Sequence, residues 1–95
     1  MFRITIARVE IHRSARKHGV GDGDIRQVGT SYLIAYRLDD DRPAREPRLG
    51  FDSTGRLLEI VVLLLDDDSE MAIHAMKARP KYLALLTHPW VGPAG

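Results

Sequence analysis

Ninety-five residues with 44% hydrophobic side chains suffice for one domain with a real core, and the chain has no cysteine. Disulfides and thiolate metal sites are therefore excluded, and a formal net charge of only +1 argues against a protein that coats nucleic acid. The charge is segregated, however: residues 11–20 and 71–95 each carry three positive charges and no acid, while residues 39–41 and 66–70 hold seven of the thirteen acids. Such a polarised small domain can present one basic face while staying near neutral overall.

Near the N-terminus, Phe2, Ile4 and Ile6 alternate with polar residues, the period of a half-buried strand. Arg3 and Arg8 interrupt the apolar start, so no signal peptide is legible, and a reducing cytoplasm is the expected location. Ile11, Ala15 and His18 then recur at i, i+4 and i+7, with Arg13, Arg16 and Lys17 on another side. This spacing predicts a short helix over residues 11–18, stopped by Gly19, with Val20 making the contact just beyond. A second helix is expected over residues 22–29, capped by Gly21 or Asp22, with Ile25 and Val28 inward.

Four further strands are predicted. Residues 32–38 alternate around Tyr32, Ile34, Tyr36 and Leu38. Residues 45–52 place Leu49 and Phe51 on one face and Arg48 and Asp52 on the other, and Pro47 suggests an edge strand or its start. Ser53-Thr54-Gly55 forms a tight turn into residues 56–65, apolar at nearly every position, as in a central strand. Glu59 breaks that run, so Leu58, Ile60, Val62 and Leu64 form its better core face. The run is far too short to cross a bilayer. Residues 70–76 set Met71, Ile73 and Ala75 against Ala72, His74 and Met76. Pro80 suits the first position of a last helix, with Tyr82, Leu83 and Leu86 on its apolar side and His88-Pro89-Trp90 stopping it.

The expected architecture is α+β: a mainly antiparallel sheet of about four to five strands, two N-terminal helices and one C-terminal helix. Residues 1–88 form one domain and residues 89–95 a tail.

The chemistry-bearing side chains fall in the two basic islands. Arg13, Arg16 and Lys17 form a cationic strip suited to phosphate, which needs only point-charge or bidentate contact. His18 reads either as part of that strip or as a capping histidine near the last carbonyls of its helix. His74 is either a half-buried sheet histidine or a general acid/base, whose ordinary pKa near 6.5 suits proton transfer. Arg79 and Lys81 stand at a helix start, where cations do not complement the dipole and a bound phosphate or a neighbouring acid would. Arg79 has no evident structural task there. Tyr82 is amphipathic, and Arg48 lies on the face opposite Leu49 and Phe51. No metal-ligand spacing, glycine-rich phosphate loop or nucleophile elbow is present, and no cofactor is expected.

Arg16-Lys17-His18-Gly19-Val20, followed by a helix, a strand meander and Ile73-His74-Ala75-Met76-Lys77-Ala78-Arg79, resembles the BrnT family. These are toxins of bacterial type II toxin–antitoxin modules with a RelE-like ribonuclease fold. The likeness spans roughly residues 9–86. Lys17, His18 and Arg79 match the family pattern, and Arg48 matches more loosely. Ser14 stands where the family carries asparagine, and Pro80-Lys81 where it usually carries Glu-Arg.

The resemblance implies a growth-inhibiting endoribonuclease silenced by a cognate antitoxin. The 2′-hydroxyl of the RNA would attack the adjacent phosphate without metal. Lys17 and Arg79 would stabilise the phosphorane, His74 would transfer protons with Tyr82 in reserve, and Arg13, Arg16, His18, Arg48 and Lys81 would hold the RNA. A reading from another class is a non-catalytic interaction module with the same fold. Its basis is the second apolar face of the central strand, Leu57, Val61, Leu63 and Leu65, which a partner protein, a homodimer or the chain's own helices would cover.

Overall fold

A computed structural model describes residues 9–36 and 43–82 of the chain. Five strands, β1 (Val9–Ile11), β2 (Ile34–Ala35), β3 (Ala44–Phe51), β4 (Leu57–Leu64) and β5 (Glu70–Lys77), form one sheet in the order β1-β5-β4-β3-β2. β2 to β5 run as an antiparallel meander, and β1 adds parallel to β5 with Ile11 opposite Ala72. The nearly continuous apolar run of β4 suits its place at the centre. Asp52 makes the turn into it, accepting from the backbone and hydroxyl of Thr54 at 2.9 and 2.8 Å and from the backbone of Arg56 at 2.8 Å.

One α-helix, α1 (Asp22–Thr30), covers one face of this sheet. Asp22 and Asp24 occupy its first turn, where carboxylates complement the helix dipole. Ile25 and Val28 point down onto Leu58, Ile60, Val62, Ala72 and Ala75, with Val9, Ala15 and Val20 closing the same core. The helix comes close to β3 at Gly50, where a Cβ would meet Val28 Cγ1 at 3.2 Å and Tyr32 Cα at 3.4 Å. A side chain there would need Val28 to give way by a few tenths of an ångström.

This architecture corrects the expected one. Among the described residues one α-helix stands where two N-terminal helices were expected, and the mainly antiparallel sheet is not purely so, because β1 joins it parallel to β5. The helix expected over residues 11–18 is absent because Ile11 is claimed by the parallel ladder and His12 N–H by the carbonyl of Ala72, at 2.9 Å. Only a 3-10 turn, Arg13–Arg16, remains, ended at Gly19 with a left-handed φ of 77°. Pro47 does not mark an edge strand. β3 is second from the edge, and Pro47 sits beyond the two-residue ladder to β2. Of the last helix, residues 80–82 are described, while residues 83–95 lie outside, as does the strand expected over residues 2–6.

The β4–β5 ladder carries one irregularity. Val61 pairs with His74 and Val62 with Ala72, so Ile73 is an extra residue on β5. The bulge resets the alternation of faces. Ala72 and Ala75, three apart, both enter the core under α1, and His74 is turned to the opposite face beside Glu59. Ser14 reaches over from the 3-10 turn, and its Oγ donates to the carbonyl of Ile73 at 2.7 Å.

Candidate active site on the second face of the sheet

Glu59 is the one charged residue of β4, and its neighbours Leu58 and Ile60 point into the core under α1. Strand alternation therefore sends Glu59 to the other face, where it is nonetheless 0% exposed. A buried carboxylate is tolerated only when paired and hydrogen-bonded. Arg79 supplies most of the pairing: its backbone N–H donates at 2.9 Å, its Nε at 3.0 and 3.1 Å and its Nη2 at 2.7 Å. His74 Nε2 adds a contact at 3.1 Å. Among the described residues, no buried side-chain nitrogen or oxygen lacks a partner.

Burial pushes the Glu59 carboxyl up, but the Arg79 guanidinium and backbone N–H, followed by His74, outweigh it and hold the group below its ordinary value. The same hydrogen bonds raise Arg79. An ionised carboxylate has no proton to give, so His74 Nε2 must be the donor in their contact. In the neutral ring Nδ1 then carries the lone pair, as in sites where a carboxylate fixes one nitrogen and leaves the other for chemistry.

The residues after β5 complete the face. Ala78 N–H donates to Leu57 O at 3.0 Å, and Tyr82 N–H closes a turn on Arg79 O at 2.8 Å. Tyr82 packs with Leu49, Leu57 and Ala78 in a second, smaller core. The Arg79 guanidinium lies 5.6 Å and Lys81 Nζ 4.9 Å from the Tyr82 ring centre, both as cation–π contacts. Tyr36 stands 6.2 Å from Tyr82, ring centre to ring centre. Burial first, then the Tyr82 hydroxyl and the nearby Glu59 charge, push the Tyr36 phenol up to about 12. Over this floor opens a cavity of about 320 Å³ lined by Arg45, Val61, Ile73, His74, Arg79, Lys81 and Tyr82.

The first basic island meets the second through its histidine. His18 packs edge-on against His74, with ring centres 5.7 Å apart. Arg13 and Lys17 are exposed on the same turn and form no ion pair among the described residues. Arg16 is engaged elsewhere, bidentate to Asp22 at 2.9 Å through both Nε and Nη2. Arg48 is not part of this face at all. It is 4% exposed on the α1 side, bonded to Glu70 at 2.8 and 2.9 Å, to Glu46 at 2.9 Å and to Gly29 O at 2.7 Å, beneath the Tyr32 ring. Arg48 ties β3, β5 and α1 together.

The site thus unites His18, His74, Arg79, Lys81 and Tyr82, leaves Lys17 and Arg13 on the adjoining turn, and omits Arg16 and Arg48. Glu59, Tyr36 and Arg45 are additions that sequence reasoning missed. Glu59 did carry a signal, as the lone charge in an apolar central strand. Among the described residues, no cluster of three or more histidine, aspartate or glutamate side chains could hold a metal ion, and no helix is long and apolar enough to cross a membrane. No protein-family description, curated protein or solved structure matches the chain.

Proposed function

We propose that this chain is a metal-independent endoribonuclease and the toxin of a toxin–antitoxin pair. The observation that carries the reading is the Glu59–His74–Arg79 arrangement beside a cavity lined by cations and a tyrosine. Cleaving RNA through its own 2′-hydroxyl requires a base, an acid and positive charge at the phosphorane. His74, oriented by Glu59, takes the 2′-hydroxyl proton at Nδ1. The 2′-oxygen bonds to phosphorus, the bond to the 5′-oxygen breaks, and His18 returns a proton to that leaving oxygen. Arg79 and Lys81 stabilise the charge on the non-bridging oxygens, and Tyr82, buried beneath them, forms the floor of the cavity. Lys17 and Arg13 extend the cationic surface along the backbone of the RNA. The resemblance to BrnT toxins at Lys17, His18 and Arg79 agrees with this reading and supplies its biological setting, a cognate antitoxin that silences the enzyme.

The test is cleavage of single-stranded RNA by purified protein in excess chelator, with products carrying 2′,3′-cyclic phosphate ends. His74→Ala should lower the rate by about 10²–10³, the range for a general acid/base. Induction of the chain alone should arrest bacterial growth. Wild-type protein that cleaves no RNA and leaves growth untouched refutes the proposal. A second reading, an interaction module, is favoured by one observation: Tyr32, Leu33 and Phe51 are exposed large hydrophobic residues around the β2–β3 edge of the sheet. It gains the field if the RNA and growth assays are both negative.

A further inference from the structure

We propose that Ser14 is a positioning residue for His74, acting through the β-bulge at Ile73. The inference rests on the endoribonuclease reading for its consequence in catalysis, but not for its geometry. A bulge leaves the extra residue outside the ladder, so its peptide groups need partners from elsewhere. Ile73 is that residue, and its carbonyl accepts from Ser14 Oγ at 2.7 Å, a contact between residues 59 apart in sequence. That carbonyl belongs to the peptide plane that leads into His74. Holding it fixes where the His74 Cα–Cβ bond points.

The bulge decides the chemistry of the face. In a regular ladder His74 would share the face of Ala72, under α1, and Ile73 would stand beside Glu59. With the extra residue, His74 reaches Glu59 at 3.1 Å and His18 at 5.7 Å between ring centres. Ser14 is itself fixed. Its backbone N–H donates to His12 Nδ1 at 3.1 Å, and its Oγ lies 2.8 Å from the same nitrogen. His12 is anchored in turn by its N–H on the Ala72 carbonyl at 2.9 Å. The 3-10 turn therefore clamps both sides of the bulge, Ala72 through His12 and Ile73 through Ser14.

Three proteins test this: wild type, Ser14→Ala and Ser14→Thr. The first readout is the long-range proton–nitrogen NMR spectrum of the His74 ring without RNA. Wild type should show the Nε2–H form alone. Ser14→Ala should show a mixture of tautomers or a doubled signal, and Ser14→Thr, which keeps the hydroxyl, should restore the wild-type pattern. The second readout is RNA cleavage. Ser14→Ala should lower kcat about tenfold, the equivalent of one hydrogen bond. KM should stay within about twofold and the melting temperature within a few degrees, and Ser14→Thr should recover the rate. An unchanged His74 spectrum in Ser14→Ala, or a Ser14→Thr protein that behaves like the alanine variant, overturns the proposal. Wild-type protein that cleaves no RNA defeats the endoribonuclease reading instead, and the spectrum alone still decides whether Ser14 sets His74.

Discussion

Replacing Arg79 by alanine should cost stability as well as activity, because the guanidinium is the main partner of a buried carboxylate. The substitution removes the Nε and Nη2 contacts to Glu59 and leaves only the backbone N–H of residue 79 and the His74 ring. Breaking a fully buried pair from one side typically costs about 3–5 kcal/mol. The Arg79 side chain is 44% exposed, so water can enter the space it vacates, and about 2 kcal/mol is the discounted figure. For a domain of this size that is a fall of roughly 8–16 °C in melting temperature.

Glu59→Gln tests the same contact from the other side. It removes the buried charge, keeps the shape, and leaves Arg79 free to be hydrated. In the double variant the alanine should cost less than it does alone, with a coupling of about 1–2 kcal/mol. The acid dependence has a definite sign. Glu59 is held below its ordinary value in the folded protein, so its contribution is complete above the unfolded carboxylate value and is lost as pH falls through the folded one. The gap between wild type and Arg79→Ala should therefore narrow below about pH 4. Thermal denaturation of the four proteins across pH measures all of this. Arg79→Ala within about 2 °C of wild type at pH 7, or strictly additive costs, would show that Arg79 is not the main partner of Glu59.

Three other outcomes follow from the same geometry. Arg48→Ala should destabilise by about 3–5 kcal/mol in urea denaturation, since it strands Glu70, Glu46 and the Gly29 carbonyl around a 4% exposed site, yet leave any cleavage by the remaining folded protein intact. Asp52 is held down at about 2 by hydrogen bonds from Arg56 and Thr54 that outweigh its burial. The stability it contributes should be complete above about pH 4, fade as pH falls towards 2, and be missing from Asp52→Ala at neutral pH, as acid titrations of both proteins would show. Arg13→Ala with Lys17→Ala should flatten the salt dependence of RNA binding by about 1.4 in log K against log salt, at roughly 0.7 per lost phosphate contact. Arg16→Ala should do less, because Asp22 already neutralises that guanidinium.

Much of the sheet is written plainly in the chain. Residues 56–65 are too apolar for any position but the centre, and their Leu58, Ile60, Val62 face is the one α1 covers. Ile25 and Val28 identify the inward side of α1. The misread segment is residues 11–18, where Ile11, Ala15 and His18 carry a helical period by coincidence. Ile11 and Ala15 are apolar for two different reasons, one as a strand residue beside Ala72 and one as a plug in the core under α1. Periodicity cannot separate those reasons, since it registers burial and not the element that supplies it. The last helix loses its test because residues 83–95 lie outside the described part of the chain.

At the site, residue type was informative and position was not. The sequence names His18, His74, Arg79, Lys81 and Tyr82, but strict alternation along β5 would have put His74 with Ala72, away from Glu59. One extra residue at Ile73 reverses that, and no local signal in Met71-Ala72-Ile73-His74-Ala75 announces a bulge, which holds no glycine or proline. The determinant is remote: a serine hydroxyl on a turn 59 residues earlier, directed at a carbonyl that the ladder has released. Arg48 fails for the complementary reason. Its charge suggested a ligand, while Glu46 and Glu70 supply the counter-charges from within the same sheet. A cation in a strand is a candidate for RNA only when no carboxylate of the fold has already claimed it. By that criterion Arg13 and Lys17 remain available among the described residues, and Arg79 is divided, half bound to Glu59 and half open to the cavity.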